Sequence, residues 1–410
     1  MMIPQPLWAQ SSDAENGSDV EKRGVEFRIK FLTLDANEGI AAGDVDGDGQ
    51  TDLVAGRNWY RGPDWEARPL RSIEDWNGYV ESNGDYLFDV NDDGRLDVVA
   101  GAFLPTEVKW FENPGSAALK LGQLWPPHVW ADTETPKNEG QLFADIDGDG
   151  VPEWIVNSWD KKTPAKIWRI ERNDGQTKSN QTESNASTLV GHQLGAVNGH
   201  GLAVGDLNGD GRVDVAFGLG WYEQPPSPWQ SEWTLHRDWE LHSSLPMIIR
   251  DIDGDGDNDM IFGAGHDYGL SWMENTLDSA TTDAKPDWPI HSIDDRYSQV
   301  HTLAMADVDG DGDDELIAGK RFRAHNGRDP GGDGPPVLYY YDIAVESGDN
   351  ASARPAVTFN RHVIDEGHVG CGLQIVAEDL DGDGDVDLAT AGKSGTYVMI
   401  NQSAVESQNR

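Results

Sequence analysis

Seven copies of one acidic loop, D-x-[DN]-x-D-G-x-x-[DE], recur along the 410-residue chain, starting at Asp44, Asp89, Asp145, Asp206, Asp251, Asp307 and Asp379. Each runs straight into an apolar, β-like stretch such as Leu53-Val54-Ala55-Gly56. The glycine at the sixth position permits a sharp turn, so the oxygens of positions one, three, five and nine converge. A hard cation that wants six to eight oxygens, above all Ca²⁺, fits such a loop. The candidate ligands are Asp44, Asp46, Asp48 and Asp52 in the first loop and Asp89, Asn91, Asp93 and Asp97 in the second. The third and fourth loops offer Asp145, Asp147, Asp149 and Glu153, then Asp206, Asn208, Asp210 and Asp214. The last three offer Asp251, Asp253, Asp255 and Asp259, then Asp307, Asp309, Asp311 and Glu315, then Asp379, Asp381, Asp383 and Asp387. A helical calcium hand is excluded, because position twelve of the first loop is Ala55 within a β-like run, where that motif needs glutamate and flanking helices.

The loops mark a longer repeat. An inner strand leads into each loop (Gly39 to Gly43 in the first copy) and a second strand leaves it. A third carries aromatics: Trp59-Tyr60, Trp110-Phe111, Trp168, Trp221-Tyr222, Trp272, Tyr339-Tyr340 and Tyr397. A fourth carries Trp-x-x-[HR], as in Trp65 to Arg68, Trp125 to His128, Trp233 to His236 and Trp288 to His291, with Phe359 to His362 a looser copy. Four short strands per unit read as propeller blades. Loop starts lie 45 to 72 residues apart, which suits blades with insertions better than a tight solenoid. The fold expected is all-β: a single seven-bladed β-propeller over residues 25–402, with a Ca²⁺-binding acidic loop in each blade. The last repeat ends after its third strand, near Asn401. Phe27 to Leu34 supplies the missing fourth strand and closes the ring. Residues 1–24 read as a disordered leader or signal-peptide remnant, 403–410 as a disordered tail, and 173–187 as a polar excursion from the third blade. Residues 320–336 exceed the repeat's needs and read as a surface loop.

The repeats resemble those of FG-GAP or VCBS proteins, a group that includes the head of integrin α chains. The resemblance covers about residues 38–400 and implies the propeller. It spans adhesion modules, lectin-like domains and enzyme domains, so it does not choose among them. A narrower resemblance rests on Glu38-Gly-Ile-Ala-Ala-Gly-Asp-Val-Asp-Gly-Asp-Gly with Trp59-Tyr60 and the Trp-x-x-His strands. These look like the propeller part of aldos-2-ulose dehydratases, metal-dependent sugar-modifying enzymes in which a cupin-like portion, absent from this chain, follows. Propeller polysaccharide lyases are neighbours of that group.

Formal net charge is −42, which disfavours nucleic acid and anionic membranes as partners. Seven Ca²⁺ ions would bring the charge to about −28, so the acidity reads as cation ligation and solubility. One cysteine, Cys371, rules out an intrachain disulfide and reads as a buried thiol. No run approaches 18 apolar residues, so no membrane insertion is expected. Loops of this kind fill best at millimolar Ca²⁺, which points to a secreted or periplasmic protein.

Repeat register also locates a candidate site. The residue six positions before each loop is Glu38, Asn83, Glu139, His200, Leu245, His301 and Leu373. Polar residues at this level converge on the central channel. Glu38, Glu139, His200 and His301 are therefore the candidate catalytic set, and their mixture suits Zn²⁺ or Mn²⁺ better than Ca²⁺. Such a site can polarise a sugar carbonyl or hydroxyl while a glutamate takes a proton in a β-elimination, the chemistry of a metal-dependent carbon–oxygen lyase. Arg57, His266, Lys320 and His368 lie near the same rim as candidate substrate contacts. A carbohydrate or small sugar is the expected partner. A non-catalytic glycan- or protein-binding module, as in adhesion, is the alternative. His128, His236, His291 and His362 repeat in one slot of the blade and so serve the blade. Most of the 16 tryptophans fall in repeated slots and pack between blades.

Overall fold

The computed structural model describes residues 24–172, 186–241, 243–276, 288–346 and 355–403. The leader through residue 23, residues 173–185 of the polar excursion and the tail from 404 lie outside the described residues. Seven four-stranded antiparallel sheets form the blades of a propeller, and one two-stranded hairpin, Asp75–Trp76 with Tyr79–Val80, is added to them. In the first six blades the strands follow chain order. The first blade runs Ala41–Gly43, Asp52–Ala55, Asn58–Arg61, Glu66–Pro69. In the seventh, Ile375–Glu378, Asp387–Gly392 and Gly395–Asn401 are completed by Phe27–Thr33 from the other end of the chain. Phe27 pairs with Asn401 and Phe31 with Tyr397.

The second strands are buried on both faces, as in Asp52–Ala55 and Glu315–Lys320. They read as continuous apolar runs because each blade is covered by a neighbour on either side. The core is correspondingly divided into seven hydrophobic clusters, one in each seam between blades; Ile155 and Ile167 of the third blade, for example, meet Val215 and Phe217 of the fourth. The closing strand Phe27–Thr33 is mostly half-exposed, as an outer strand must be. The strand it covers, Gly395–Asn401, is wholly buried. Removing residues 1–33 bares that strand's edge and part of a seam. The truncated chain is expected to self-associate, and size-exclusion chromatography with light scattering reads this out. A stable truncated monomer would show that closure is dispensable.

The repeated fourth-strand histidines serve the blades. His128, His236, His291 and His362 each stack on a third-strand aromatic at centroid distances of 4.2 to 4.6 Å. Each also meets a carboxylate (Glu112, Glu223, Glu274 or Asp342) at 2.8 to 3.0 Å. Arg68 fills the same slot over Trp59 in the first blade.

Candidate functional site

The acidic loops share one hydrogen-bond scheme. The first aspartate accepts the N–H of the sixth-position glycine at 2.7 to 3.1 Å in all seven. Gly49 makes this turn at φ 85°, a conformation that an L side chain strains to adopt. The ninth-position acid accepts the N–H of position two at 2.8 to 3.1 Å, again in all seven. Its other oxygen accepts an N–H from the end of the third strand: Gly62, Asn113, Gln224, Asn275 or Asn401 in five blades. The ninth position is therefore an anchor of the loop as well as a candidate ligand. Asn113, Gln224, Asn275 and Asn401 go further. Their side-chain amides donate to the position-two carbonyl of the preceding blade's loop, at 2.7 to 3.0 Å.

The loops fit a cation. Carboxylate oxygens of Asp44, Asp46 and Asp48 lie within 4.8 Å of one another, as do those of Asp251, Asp253 and Asp255, and those of Asp145, Asp147 and Glu153. Third-position oxygens, Oδ1 of Asp46 and of Asp381, are buried with no hydrogen-bond partner. In the first, second and fourth loops Arg61 pairs with Asp46 and Asp48, Arg95 with Asp93, and Arg212 with Asp210, so part of the negative charge is already matched there.

Elsewhere on the ring, residues from five blades converge at the mouth of the central channel. Further in, the channel holds a cavity of about 170 Å³ lined by Ile40, Leu142, Leu202, Leu245, Leu303 and Leu373, among others. At the mouth Arg321, which follows the second strand of the sixth blade, reaches across the axis. Its Nε and Nη2 each donate at 2.7 Å to the two oxygens of Glu38, on the first blade. Its Nη1 donates at 2.8 Å to Glu139 on the third, and at 3.1 Å to Nε2 of His301. The second oxygen of Glu139 accepts from the Trp159 indole and lies 3.1 Å from Nε2 of His200. Burial pushes the Glu139 carboxyl up, but His200 beside it, with Arg321 and His301, outweighs burial and holds it well below the usual range.

Three histidines meet here. Ring centroids of His200, His266 and His301 lie 5.1 to 5.4 Å apart. One nitrogen from each falls within 4.8 Å of the others. Nδ1 of His200, Nε2 of His266 and Nδ1 of His301 are buried without a hydrogen-bond partner. Burial pushes His266 down to about 4, and burial with Arg321 puts His301 well below its ordinary value, so both are neutral at pH 7. Asp329 accepts from Nδ1 of His266 at 3.0 Å and from Nδ1 of His325 at 2.9 Å, and the two imidazoles stack at 4.7 Å. The backbone is left-handed at Arg323, His325 and Asn326, φ 47° to 58°. Such residues cost of order 1–3 kcal/mol each, so the surrounding contacts must over-determine them.

The family models agree with this architecture. An FG-GAP-like repeat model matches residues 89–156 and 145–217, and an FG-GAP repeat model matches 36–64. The chain carries FG-GAP repeats over these residues, on a seven-bladed β-propeller. No curated protein matches it. Among solved structures, BBS1N in complex with ARL6DN is 12% identical with a TM-score of 0.48, covering 92% of this chain and 96% of that one. The PQQ-bound aldose sugar dehydrogenase of Streptomyces coelicolor is 15% identical with a TM-score of 0.38, covering 77% and 98%. The V. cholerae biofilm matrix protein Bap1 is 10% identical with a TM-score of 0.34, covering 92% and 84%. No helix among the described residues is long and apolar enough to cross a membrane.

Of the residues singled out in the sequence, Glu38, Glu139, His200, His301 and His266 are brought together at the mouth of the propeller. Both oxygens of Glu38 are bound by Arg321, which changes what the glutamates can do there. Lys320 is buried and donates to the Gly331 carbonyl at 2.7 Å. Arg57 is paired with Asp35 and Asp75. The His368 side chain is 78% exposed and meets Asp365 at 3.1 Å. Neither makes a described contact with the cluster. Cys371 is buried, and burial pushes its thiol up to about 12, so it is an inert packing residue. Arg321, Trp159, His325 and Asp329 escaped the sequence reading. They stand in turns after second strands, outside the register of the inner strands. The one available signal was the length of residues 320–336, which read as a surface loop, whereas its Arg321 and Ala324 are buried.

Proposed function

We propose that this FG-GAP propeller is an extracytoplasmic, calcium-stabilised protein that acts on a sugar at its channel mouth by metal-assisted elimination. The observation that carries the reading is the convergence of His200, His266 and His301, with buried unpartnered nitrogens, beside Glu139. A Zn²⁺ or Mn²⁺ ion held there would polarise a carbonyl or hydroxyl oxygen of the sugar. The base is best supplied by His325. Its Nδ1 is held by Asp329, and its side chain is 40% exposed at the mouth. Held in this way it keeps a lone pair on Nε2. His325 takes the proton from the carbon beside the carbonyl. The electron pair of that C–H bond becomes the new double bond, and the β-oxygen leaves with the electrons of its C–O bond. Glu38 and Glu139 hold Arg321 and shape the charge of the site, in place of the proton-transfer role expected from sequence. The acidic loops take Ca²⁺ and hold the blades. Protein export is consistent with loops that fill at millimolar Ca²⁺.

The test is a panel of uronate-containing oligosaccharides and keto sugars, followed by the ultraviolet absorbance of the conjugated product. His325→Ala is expected to lower kcat about 10²–10⁴-fold, as loss of a general base does. A wild-type protein that turns over nothing on the panel yet binds glycans would favour a second reading, a recognition module. One observation supports that alternative. Trp76 stacks on Phe103 at 6.2 Å and Phe103 meets Trp159 at 5.7 Å, a half-buried aromatic row beside the mouth that suits a sugar ring or a protein side chain.

A further inference from the structure

The sequence suggested a mixed ligand set of two glutamates and two histidines. The structure redistributes these residues. Glu38 gives both oxygens to Arg321, and Glu139 is shared among Arg321, Trp159 and Nε2 of His200. The carboxylates already have a cation. The imidazoles do not have a full set of partners. Nδ1 of His266 is taken by Asp329, which leaves Nε2 with its lone pair, buried and unpartnered. His301 is fully buried, and its Nε2 lone pair accepts from Arg321. His200 offers a further unpartnered nitrogen. Burying such groups unsatisfied is unfavourable.

We propose that His200, His266 and His301, from the fourth, fifth and sixth blades, form a three-imidazole Zn²⁺ centre, with Asp329 holding His266 in its ligating tautomer. The inference rests on the metal-assisted reading of the mouth and names its ligands. Three imidazole nitrogens within 4.8 Å of one another suit Zn²⁺ better than Ca²⁺ or Mn²⁺, which favour oxygen. The Asp329–His266 bond is the carboxylate–histidine arrangement that orients metal ligands and raises their basicity. Charge agrees. Glu38 offsets Arg321, and Glu139 is left as one negative charge beside an incoming divalent ion. The ion takes over the His301 lone pair that Nη1 of Arg321 now contacts, while Arg321 keeps its paired bonds to Glu38. Three protein ligands leave a coordination position for a substrate oxygen. Asp329 is a positioning residue in this scheme, because it acts through His266 and His325.

The experiment uses the full chain in millimolar Ca²⁺, so that the acidic loops are filled, and titrates it with Co²⁺ as a coloured substitute for Zn²⁺. One equivalent of Co²⁺ is expected to develop a visible ligand-field band that Zn²⁺ abolishes. His266→Ala and His301→Ala are expected to weaken Zn²⁺ binding about tenfold or more, and Asp329→Asn by about 10–100-fold. Glu66→Gln, on the exposed outer strand of the first blade, should leave it unchanged. Should the alanine variants fail to fold, His266→Gln and His301→Gln carry the same comparison. No band in the wild type, or wild-type Zn²⁺ affinity in the histidine variants, overturns the centre. Metal binding without sugar turnover supports the centre and removes the sugar reading. Turnover that survives in metal-free protein does the reverse.

Discussion

Chelation of divalent cations is expected to lower the melting temperature of this propeller by on the order of 10 °C or more, and by more at pH 7.5 than at pH 5. The pH dependence comes from the ninth-position acids. Asp52, Asp259 and Asp387 are pushed up to about 6, and Asp97, Glu153, Asp214 and Glu315 to about 7, in each case first by burial. A carboxyl whose pKa is higher folded than unfolded favours the fold while it is protonated. That contribution is complete below the unfolded value, 3.8 for Asp and 4.5 for Glu, and is lost as pH rises through the folded values of 6 to 7. The cation-free protein should therefore lose stability steadily between about pH 4 and pH 7. Mutual repulsion within a chain of net charge −42 acts in the same direction, and added salt screens it. A bound cation binds the folded state alone and stabilises the charged carboxylates, so the calcium-loaded protein should show a much flatter profile. Thermal melts in EGTA and in millimolar CaCl₂ across this range decide the matter. Coincident curves would mean that the loops hold their shape by backbone hydrogen bonds alone.

Replacing Arg321 by methionine should cost about 3–5 kcal/mol of unfolding free energy. Glu38 and Glu139 are only 1% and 2% exposed, and Arg321 is their shared cation. Without it two buried carboxylates face each other across the channel. The double variant Glu38→Gln/Arg321→Met should recover part of the loss, because the charge left unpaired is then removed together with its partner. Urea unfolding in saturating Ca²⁺ measures both, and the Ca²⁺ keeps the loops out of the comparison. A single-variant cost below about 1 kcal/mol would mean that another cation neutralises the pair.

The sequence made the repetitive part of the molecule legible. A loop written seven times and a Trp-x-x-His strand written several times report the same local geometry again and again, and Phe27–Thr33 was recognisable as the strand the last blade lacked. The register of the inner strands also found Glu38, Glu139, His200 and His301, since those strands bring their residues to one level of the channel. Register fails where function departs from it. Arg321 crosses the axis from a turn, and His325 and Asp329 sit on an insertion that the repeat does not need. The latching amides Asn113, Gln224, Asn275 and Asn401 did repeat, after the third-strand aromatics. Their meaning lay in a contact with the preceding blade, which spacing within one repeat does not reveal. Arg57 and Lys320, read as charges available to a ligand, proved to be engaged with groups near them in the fold.

The closing pair has a mechanical consequence. Phe27 lies opposite Asn401, so the chain enters and leaves the ring at the same end of two antiparallel strands. Tension applied between the two termini loads that ladder as a zipper, one rung after another from the Phe27 end, and never all rungs together in shear. A tether on one terminus alone transmits no such force. An assembly that holds the ring by one end would leave it closed, whereas one that pulls on both would open it at the closing strand first.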